Sequence, residues 1–381
     1  MTLRLTRMAV TTARVSQQTR WIFFEIEHAD GRVGIGEGSL DRQEHAVLEC
    51  AARIAPLLFS LETADPGAFA SAVRPMSLET AAAVSAIDMA LWDLHAQDKD
   101  APLVSVLGGV QRTSVASYAN INRRTRDRSA AGFARSAQDA LTAGFDAIKV
   151  APFDEVTPAL CARGEGTAAM RSGLERIAAV REAAGPSTRL MVDCHWRFDE
   201  PTAATMIDAA AEYAVHWIEC PLSEGVDDIP ALGRLRHRAG GRGIRLAGME
   251  QGVGYESFRP FCEARCYDVM MPDVKYVGGL REMLRCAEAF AQHDIEMSPH
   301  NPSGPVAHAA SLHVSAAMRA FDMLELQFDE SPLFNTLVSG TFPRAHEGTF
   351  VLPPSTGLGV RLDHAALAAC IDGEPRLFQA S

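Results

Sequence analysis

Apolar positions in the first part of the chain follow two rhythms in turn. "WIFFEIEHADGRVGIGEGS" holds two strand-like runs about an Asp-Gly pair, the pattern of a hairpin closed by a tight turn. Two alanine-rich stretches of helical period follow. The second, "SLETAAAVSAIDMALWDLHAQ", places apolar residues at three- and four-residue spacing behind Ser77, with Glu79 and Thr80 completing a helix-start pattern. "APLVSVLGG" then closes the section at Gly108-Gly109.

From about Val115 the rhythm changes and repeats. Short apolar runs ("VASYANI", "DAIKVAPF", "RLMVDCHW", "VHWIECPL", "RLAGMEQ", "DVMMPDV", "IEMSPH" and "MLELQF") alternate with amphipathic segments such as "LREMLRCAEAFAQ" and the stretch from Ile207 to Val215. Eight strands alternating with helices over roughly 215 residues suit a (β/α)8-type barrel, whose usual length is about 250 residues. A doubly wound open sheet would need a glycine-rich loop after its first strand, and "VASYANINRRT" has none. The expected architecture is therefore α/β: a mixed α+β section over residues 1–112, the barrel over 113–343, and a turn-rich tail over 344–381 that packs back on the first section.

Barrel strands are covered on both faces, so their interiors should be apolar. Here the C-terminal ends of successive strands carry Lys149, Asp193, Glu219, Glu250, Asp273, His300 and Glu325. Those ends form the catalytic face of such a barrel. Asp193, Glu219 and Glu250 stand on strands three, four and five, separated by 26 and 31 residues, one βα repeat each. Neighbouring strands would aim all three at one point. Carboxylates that close repel unless a cation lies between them. Oxygen-only ligands favour a hard ion, Mg2+ first and Mn2+ second.

Composition narrows the partners. The chain of 381 residues is 47% hydrophobic and 22% charged, an ordinary soluble composition. A net charge of −12 with no basic block argues against nucleic acid and anionic membranes as partners. It does not exclude an anionic substrate, because a bound cation inverts the local field. Eight cysteines, none in a CxxC pair, read as reduced and buried thiols. With no signal-peptide core and no apolar stretch of membrane-spanning length, the expected location is the cytoplasm.

"VDCHW", "IECPL", "AGMEQ", "MPDVKYVGG", "SPHNPSGPVA" and "LELQF", in that order and at barrel spacing, resemble the enolase superfamily in its mandelate racemase-like branch. The likeness covers nearly the whole chain and makes the first section that family's capping domain. It implies a homo-oligomer that binds a small carboxylate substrate on Mg2+, removes the proton alpha to the carboxylate and stabilises the enediolate. Asp193, Glu219 and Glu250 become the metal ligands. Asp273 and His300, 27 residues apart on strands six and seven, become a dyad in which the acid orients a histidine base. The prolines and Gly304 of "MSPHNPSGPV" would fix His300 at its strand end and open the next helix with free N–H groups.

One departure from the family decides the expected reaction. Racemases and cycloisomerases of the family usually carry Lys-x-Lys on strand two, and "IKVAPF" keeps Lys149 but has Ala151 in the second place. Two-base racemisation loses its second base, and Lys149 is left to neutralise charge near the substrate carboxylate or to act as acid or base. His195, two residues after Asp193, matches the acid-sugar dehydratases of the superfamily, where that histidine is the general acid for the departing 3-hydroxyl. Glu325 matches the position that hydrogen-bonds the substrate carboxylate or enediolate. Arg197, Trp196 and Tyr118 are expected at the rim, recognising hydroxyls. The leading expectation is a sugar-acid dehydratase giving a 2-keto-3-deoxy acid. A cycloisomerase or epimerase of an acid-sugar lactone or anhydro acid is the alternative, and a non-catalytic metal-binding barrel is the alternative of another class. Specificity is expected from capping loops near Ser16–Trp21 and Gly38–His45.

Overall fold

The computed structural model describes residues 4–61, 63, 65–340, 345–352 and 354–380. Its first section is an antiparallel sheet of β1 (Leu5–Arg14), β2 (Arg20–His28) and β3 (Val33–Glu37), covered by the helices Glu44–Ser60 and Leu78–Asp98. β2 and β3 form the hairpin expected from the Asp-Gly pair, with Gly31 at a φ of 89° inside the turn. The glycines of "VGIGEG" face the second helix. A Cβ on Gly34, Gly36 or Gly38 would stand 2.0, 1.9 or 2.7 Å from the carbonyl oxygen of Ala90, Ala86 or Ala82 respectively. Two residues of strand rise about 6.6 Å and four residues of helix about 6 Å, so glycines every second position match alanines every fourth. This fit explains why the helix is alanine-rich and almost wholly buried, and Ser77 caps its start by accepting from Thr80 N–H.

The second section holds eight parallel strands: β4 (Ser114–Asn120), β5 (Ala147–Val150), β6 (Arg189–Asp193), β7 (Val215–Glu219), β8 (Arg245–Gly248), β9 (Val269–Met270), β10 (Glu296–Met297) and β11 (Leu324–Gln327). β11 pairs with β4, and backbone bonds from Asp322 N to Met297 O and from Glu325 N to Pro299 O join the seventh strand to the eighth. The ring is thereby closed around Tyr118, Met191, Trp217, Ala247 and Met271. Helices cover the outside after the first seven strands, and the short helix Leu333–Thr336 comes next after the eighth.

The tail divides its contacts. β12 (Val338–Gly340) pairs with β14 (Val360–Leu362), β13 (Thr349–Val351) pairs antiparallel with barrel strand β4, and β15 (Arg376–Gln379) joins the first sheet beside β1. The last strand thus extends the capping sheet, Ile371 bridges Ala13 of β1 just before it, and β13 fills the edge of β4 near Ala116. The expected boundary at 343–344 lies outside the described residues.

Two buried acids of the capping section reach into the barrel loops that matter most. Glu37 accepts from Gly304 N–H at 2.8 Å and from Ala307 N–H at 2.9 Å, at the start of the helix Pro305–Ala317. Asp88 accepts from Leu280 N–H at 2.7 Å, at the start of the helix Leu280–Ala291. These are the free N–H groups of helix starts, where negative charge is favoured. A Cβ on Gly304 would stand 2.8 Å from both the Glu37 carboxylate and the Trp21 ring, so the glycine of "NPSGPV" leaves room for the acid.

Burial pushes Asp88 up to about 7 and Asp93, which accepts from Ile35 and Leu358 N–H, up to about 6. Both folded values lie above the unfolded one, so the folded protein binds more protons between about pH 4 and 7. Their contribution to stability is complete below pH 4 and is lost as pH rises through 6 to 7. Asp88→Asn should flatten the fall in melting temperature between pH 5 and 8. Thermal unfolding across that range checks it, and an unchanged slope would refute the role given to Asp88.

Candidate active site

The barrel mouth gathers the polar strand ends into one cluster. Asp193 ends β6, Glu219 ends β7 in register beside it, and Glu250 lies two residues past β8. All three are buried, and one oxygen from each lies within 4.8 Å of the others. Burial pushes Glu219 up to about 8 and, with Asp193 and Glu219 beside it, lifts Glu250 well above the carboxylate range. Burial also opposes ionisation of Asp193, but His195 and Lys149 outweigh it and hold Asp193 below its ordinary value. Glu250 Oε2 is buried without a hydrogen-bond partner. Raised carboxylates, an orphaned oxygen and an all-oxygen donor set are what a divalent cation would relieve, so these residues fit one.

Lys149 stands among them with 1% exposure. Its Nζ lies 2.6 Å from Glu219 Oε1, 2.9 Å from Glu325 Oε1 and 4.0 Å from Asp193 Oδ2. Burial lowers its proton affinity, but these acids more than restore it and raise the pKa well above the usual lysine value. Glu325 is pinned on both sides: Asn120 Nδ2 donates to Oε1 at 2.6 Å and Asn301 N–H to Oε2 at 3.0 Å.

Across the mouth, His300 Nδ1 lies 2.8 Å from Asp273 Oδ2, and the two residues bridge as parallel neighbours. The other ring nitrogen, Nε2, lies 3.4 Å from Glu250 Oε2 and so faces the acid triad. Asp273 is further held by Lys275, whose backbone N–H donates to Oδ1 at 2.8 Å and whose Nζ meets Oδ2 at 2.6 Å. That ammonium also bonds Ser303, in the loop after His300.

His195 is the most exposed of the proposed catalytic side chains, at 38%. Its Nε2 lies 2.9 Å from Asp193 Oδ2, and the charge on Asp193 raises its proton affinity against the cost of burial. A proton held on a partly exposed ring beside the acid cluster is available to a leaving group. His195, Trp196, Cys220 and Met249 have φ of 46°, 56°, 46° and 70°. Non-glycine residues in this region are strained, and here they flank each member of the triad.

Of the three expected rim residues, Tyr118 lies away from the mouth, while Arg197 and Trp196 stand on the loop after β6 with their polar groups bonded to protein. Tyr118 is fully buried in the barrel interior, packed edge-on against Trp217 with Lys149 Nζ 5.6 Å from its ring centroid. Its place at the strand end belongs to Asn120, two residues on and so on the same face. Arg197 ties its guanidinium to the backbone oxygens of Asp154 and Val156, fixing the loop after β5. Trp196 turns its indole N–H to Glu224 Oε2 at 3.0 Å. Of the two expected specificity loops, Ser16, Gln17 and Gln18 line a polar cavity of about 660 Å³ with Asn122, Arg123 and Arg126. Arg123 also bonds Pro302 O, two residues from His300. Sequence reasoning missed Asn120, Asn301, Lys275 and Glu224. Asn120 obeyed the same signal as the residues found, a polar side chain ending a barrel strand. The others lie in loops, where no period marks them.

Comparison with known proteins points the same way. Residues 132–366 match the family model described as enolase C-terminal domain-like, and residues 1–108 match that of the mandelate racemase/muconate lactonizing enzyme N-terminal domain. A D-gluconate dehydratase of Thermoproteus tenax is 30% identical over 291 residues, 76% of this chain but 56% of that protein's length. A D-galactonate dehydratase of Ralstonia nicotianae is 28% identical over 95% of this chain and 93% of its own. Among solved structures, a mandelate racemase/muconate lactonizing enzyme from Jannaschia sp. CCS1 superposes with a TM-score of 0.85 at 22% identity, covering 98% of this chain and 99% of that one. An enolase superfamily member from Salmonella typhimurium gives 0.86 at 21%, covering 99% and 100%.

Proposed function

Because the chain belongs to the mandelate racemase/muconate lactonizing enzyme family of the enolase superfamily, we propose that it is a metal-dependent hydro-lyase acting on a sugar acid. The observation that carries this reading is the pairing of His300 with Asp273 on one side of the triad and of His195 with Asp193 on the other. The named dehydratase relatives support it.

Asp193, Glu219 and Glu250 would hold the cation, Mg2+ by preference for a hard three-oxygen set and Mn2+ next. When bound, that ion neutralises charge on the substrate carboxylate and makes the alpha carbon acidic enough for a histidine to deprotonate. His300 Nε2 takes the C2 proton, since Nδ1 is held by Asp273. Glu325, fixed by Asn120 and Asn301, and Lys149, fixed between Glu219 and Glu325, stand where charge develops on the carboxylate oxygens. His195 gives its proton to the departing 3-hydroxyl, which leaves as water. The enol that remains tautomerises to a 2-keto-3-deoxy acid. Lys149 is committed to two carboxylates and has Ala151 as its neighbour on the same face, so it serves as a fixed cation and not as the second base of an epimerase.

The test is a panel of aldonates, aldarates and anhydro acids with Mg2+, read by 2-keto acid formation. At least one linear sugar acid should yield product. Proton exchange at C2 across the panel with no loss of water from any member would instead favour the epimerase.

A further inference from the structure

The three strand ends that carry the triad share an anchor outside the acid cluster. Glu224 stands five residues beyond Glu219, and its carboxylate meets the segments that follow β6, β7 and β8. Oε2 accepts from the indole N–H of Trp196 at 3.0 Å. Oε1 accepts from the backbone N–H of Met249 at 2.6 Å and from the Tyr267 hydroxyl at 2.8 Å, with Cys220 Sγ at 3.8 Å. Trp196 follows Asp193 by three residues, Cys220 directly follows Glu219, and Met249 directly precedes Glu250. One side chain thus touches all three ligand-bearing segments.

Each contacted residue on those segments has a left-handed backbone, a conformation that persists only where the surroundings hold it. The approach is built for the acid. A Cβ on Gly248 would stand 2.4 Å from Glu224 Oε1 and 2.8 Å from the Tyr267 ring. Gly248 ends β8 without a positive φ, so the missing side chain supplies space and not backbone freedom. Every group facing Glu224 is a donor, which suits a carboxylate, an acceptor at both oxygens. An amide would turn its own N–H groups against at least one of them.

From this arrangement we infer that Glu224 is a positioning residue for the metal site. Its carboxylate fixes the three strained turns and thereby sets the spacing of the oxygens offered by Asp193, Glu219 and Glu250. The inference rests on the reading of those three acids as a metal site, and the experiment separates the two.

Mn2+ binding is measured by the loss of the free-ion paramagnetic signal, with no substrate present, alongside thermal unfolding. The wild-type protein should show one site that Glu219→Gln removes. Glu224→Gln should remain folded and bind Mn2+ about 10–100-fold more weakly, the usual effect of losing a group that orients metal ligands. Gly248→Ala should act in the same direction by displacing the carboxylate. Trp196→Phe, which cuts the tie to the Asp193 segment, should weaken binding. Tyr267→Phe removes a donor that lies on no ligand-bearing segment, and should leave affinity within about twofold of wild type, well below the ~10–100-fold that ligand-orienting groups carry. If Glu224→Gln does not fold, the contrast between Trp196→Phe and Tyr267→Phe carries the test. Wild-type affinity in folded Glu224→Gln, or equal losses in the two aromatic variants, would overturn the inference. A wild-type protein with no Mn2+ site sensitive to Glu219→Gln would remove the metal reading and this inference with it.

Discussion

Glu219→Gln should reduce turnover by about a thousandfold or more while leaving the fold intact. The loss follows from the role of the residue. A Lewis acid at a carboxylate contributes several kcal/mol to the transition state, and each 1.36 kcal/mol is a factor of ten in rate. Glu219 lies centrally, in register with Asp193 on one side and bonded to Lys149 on the other. The neutral amide is a poorer ligand for a hard ion, so both affinity and rate should fall. Stability should not fall with them. Burial lifts the folded pKa of Glu219 to about 8, so an acid at this place carries a stability cost that grows as pH rises above the ordinary carboxylate range and is complete above about 8. The amide removes it, and Lys149 keeps its bond to Glu325. Turnover with and without chelator, together with a melting curve, checks both halves. Full activity after exhaustive chelation, or in the variant, would end the metal assignment.

Much of this site is legible in the sequence, for a simple reason. Barrel strands should be apolar, so each charge at a strand end stood out, and the repeat length placed Asp193, Glu219 and Glu250 on adjacent strands. The triad does converge, with its oxygens within 4.8 Å. The Asp273–His300 bond follows from the same spacing. The period-two pattern failed at Tyr118, because it tells which side chains face inward and not how deep along the strand they lie. Tyr118 fills the interior layer, and Asn120 holds the mouth.

Contacts between distant parts of the chain left no local mark. Glu37 caps a helix 267 residues away at Gly304, and Asp88 caps one 192 residues away at Leu280. The glycines of "VGIGEG" and the alanines of the long helix each suggested close packing, but their mutual fit is a property of the two together. Arg197 and Trp196 were placed on the right loop, yet their polar groups are spent on backbone oxygens and on Glu224. A side chain's direction at a left-handed backbone is set by its surroundings, and sequence period does not reach it.

In the proposed mechanism His300 alone removes the C2 proton. Nδ1 is held by Asp273, Nε2 faces the triad, and strand two offers only Lys149, locked between Glu219 and Glu325. His300→Asn should lower turnover by about 10²–10⁴, the usual worth of one acid or base. Loss of rate alone would not identify the step, whereas exchange of the C2 hydrogen does. Substrate is therefore incubated in deuterated solvent with the Mg2+-loaded protein, and deuterium at C2 of the recovered substrate is followed by NMR. His195→Asn should continue to label C2 while elimination slows, because its proton serves the leaving hydroxyl. Lys149→Met should keep C2 labelling at a reduced rate. His300→Asn should show none. Labelling that survives in His300→Asn and disappears in Lys149→Met would place the base on strand two and contradict the mechanism at its first step.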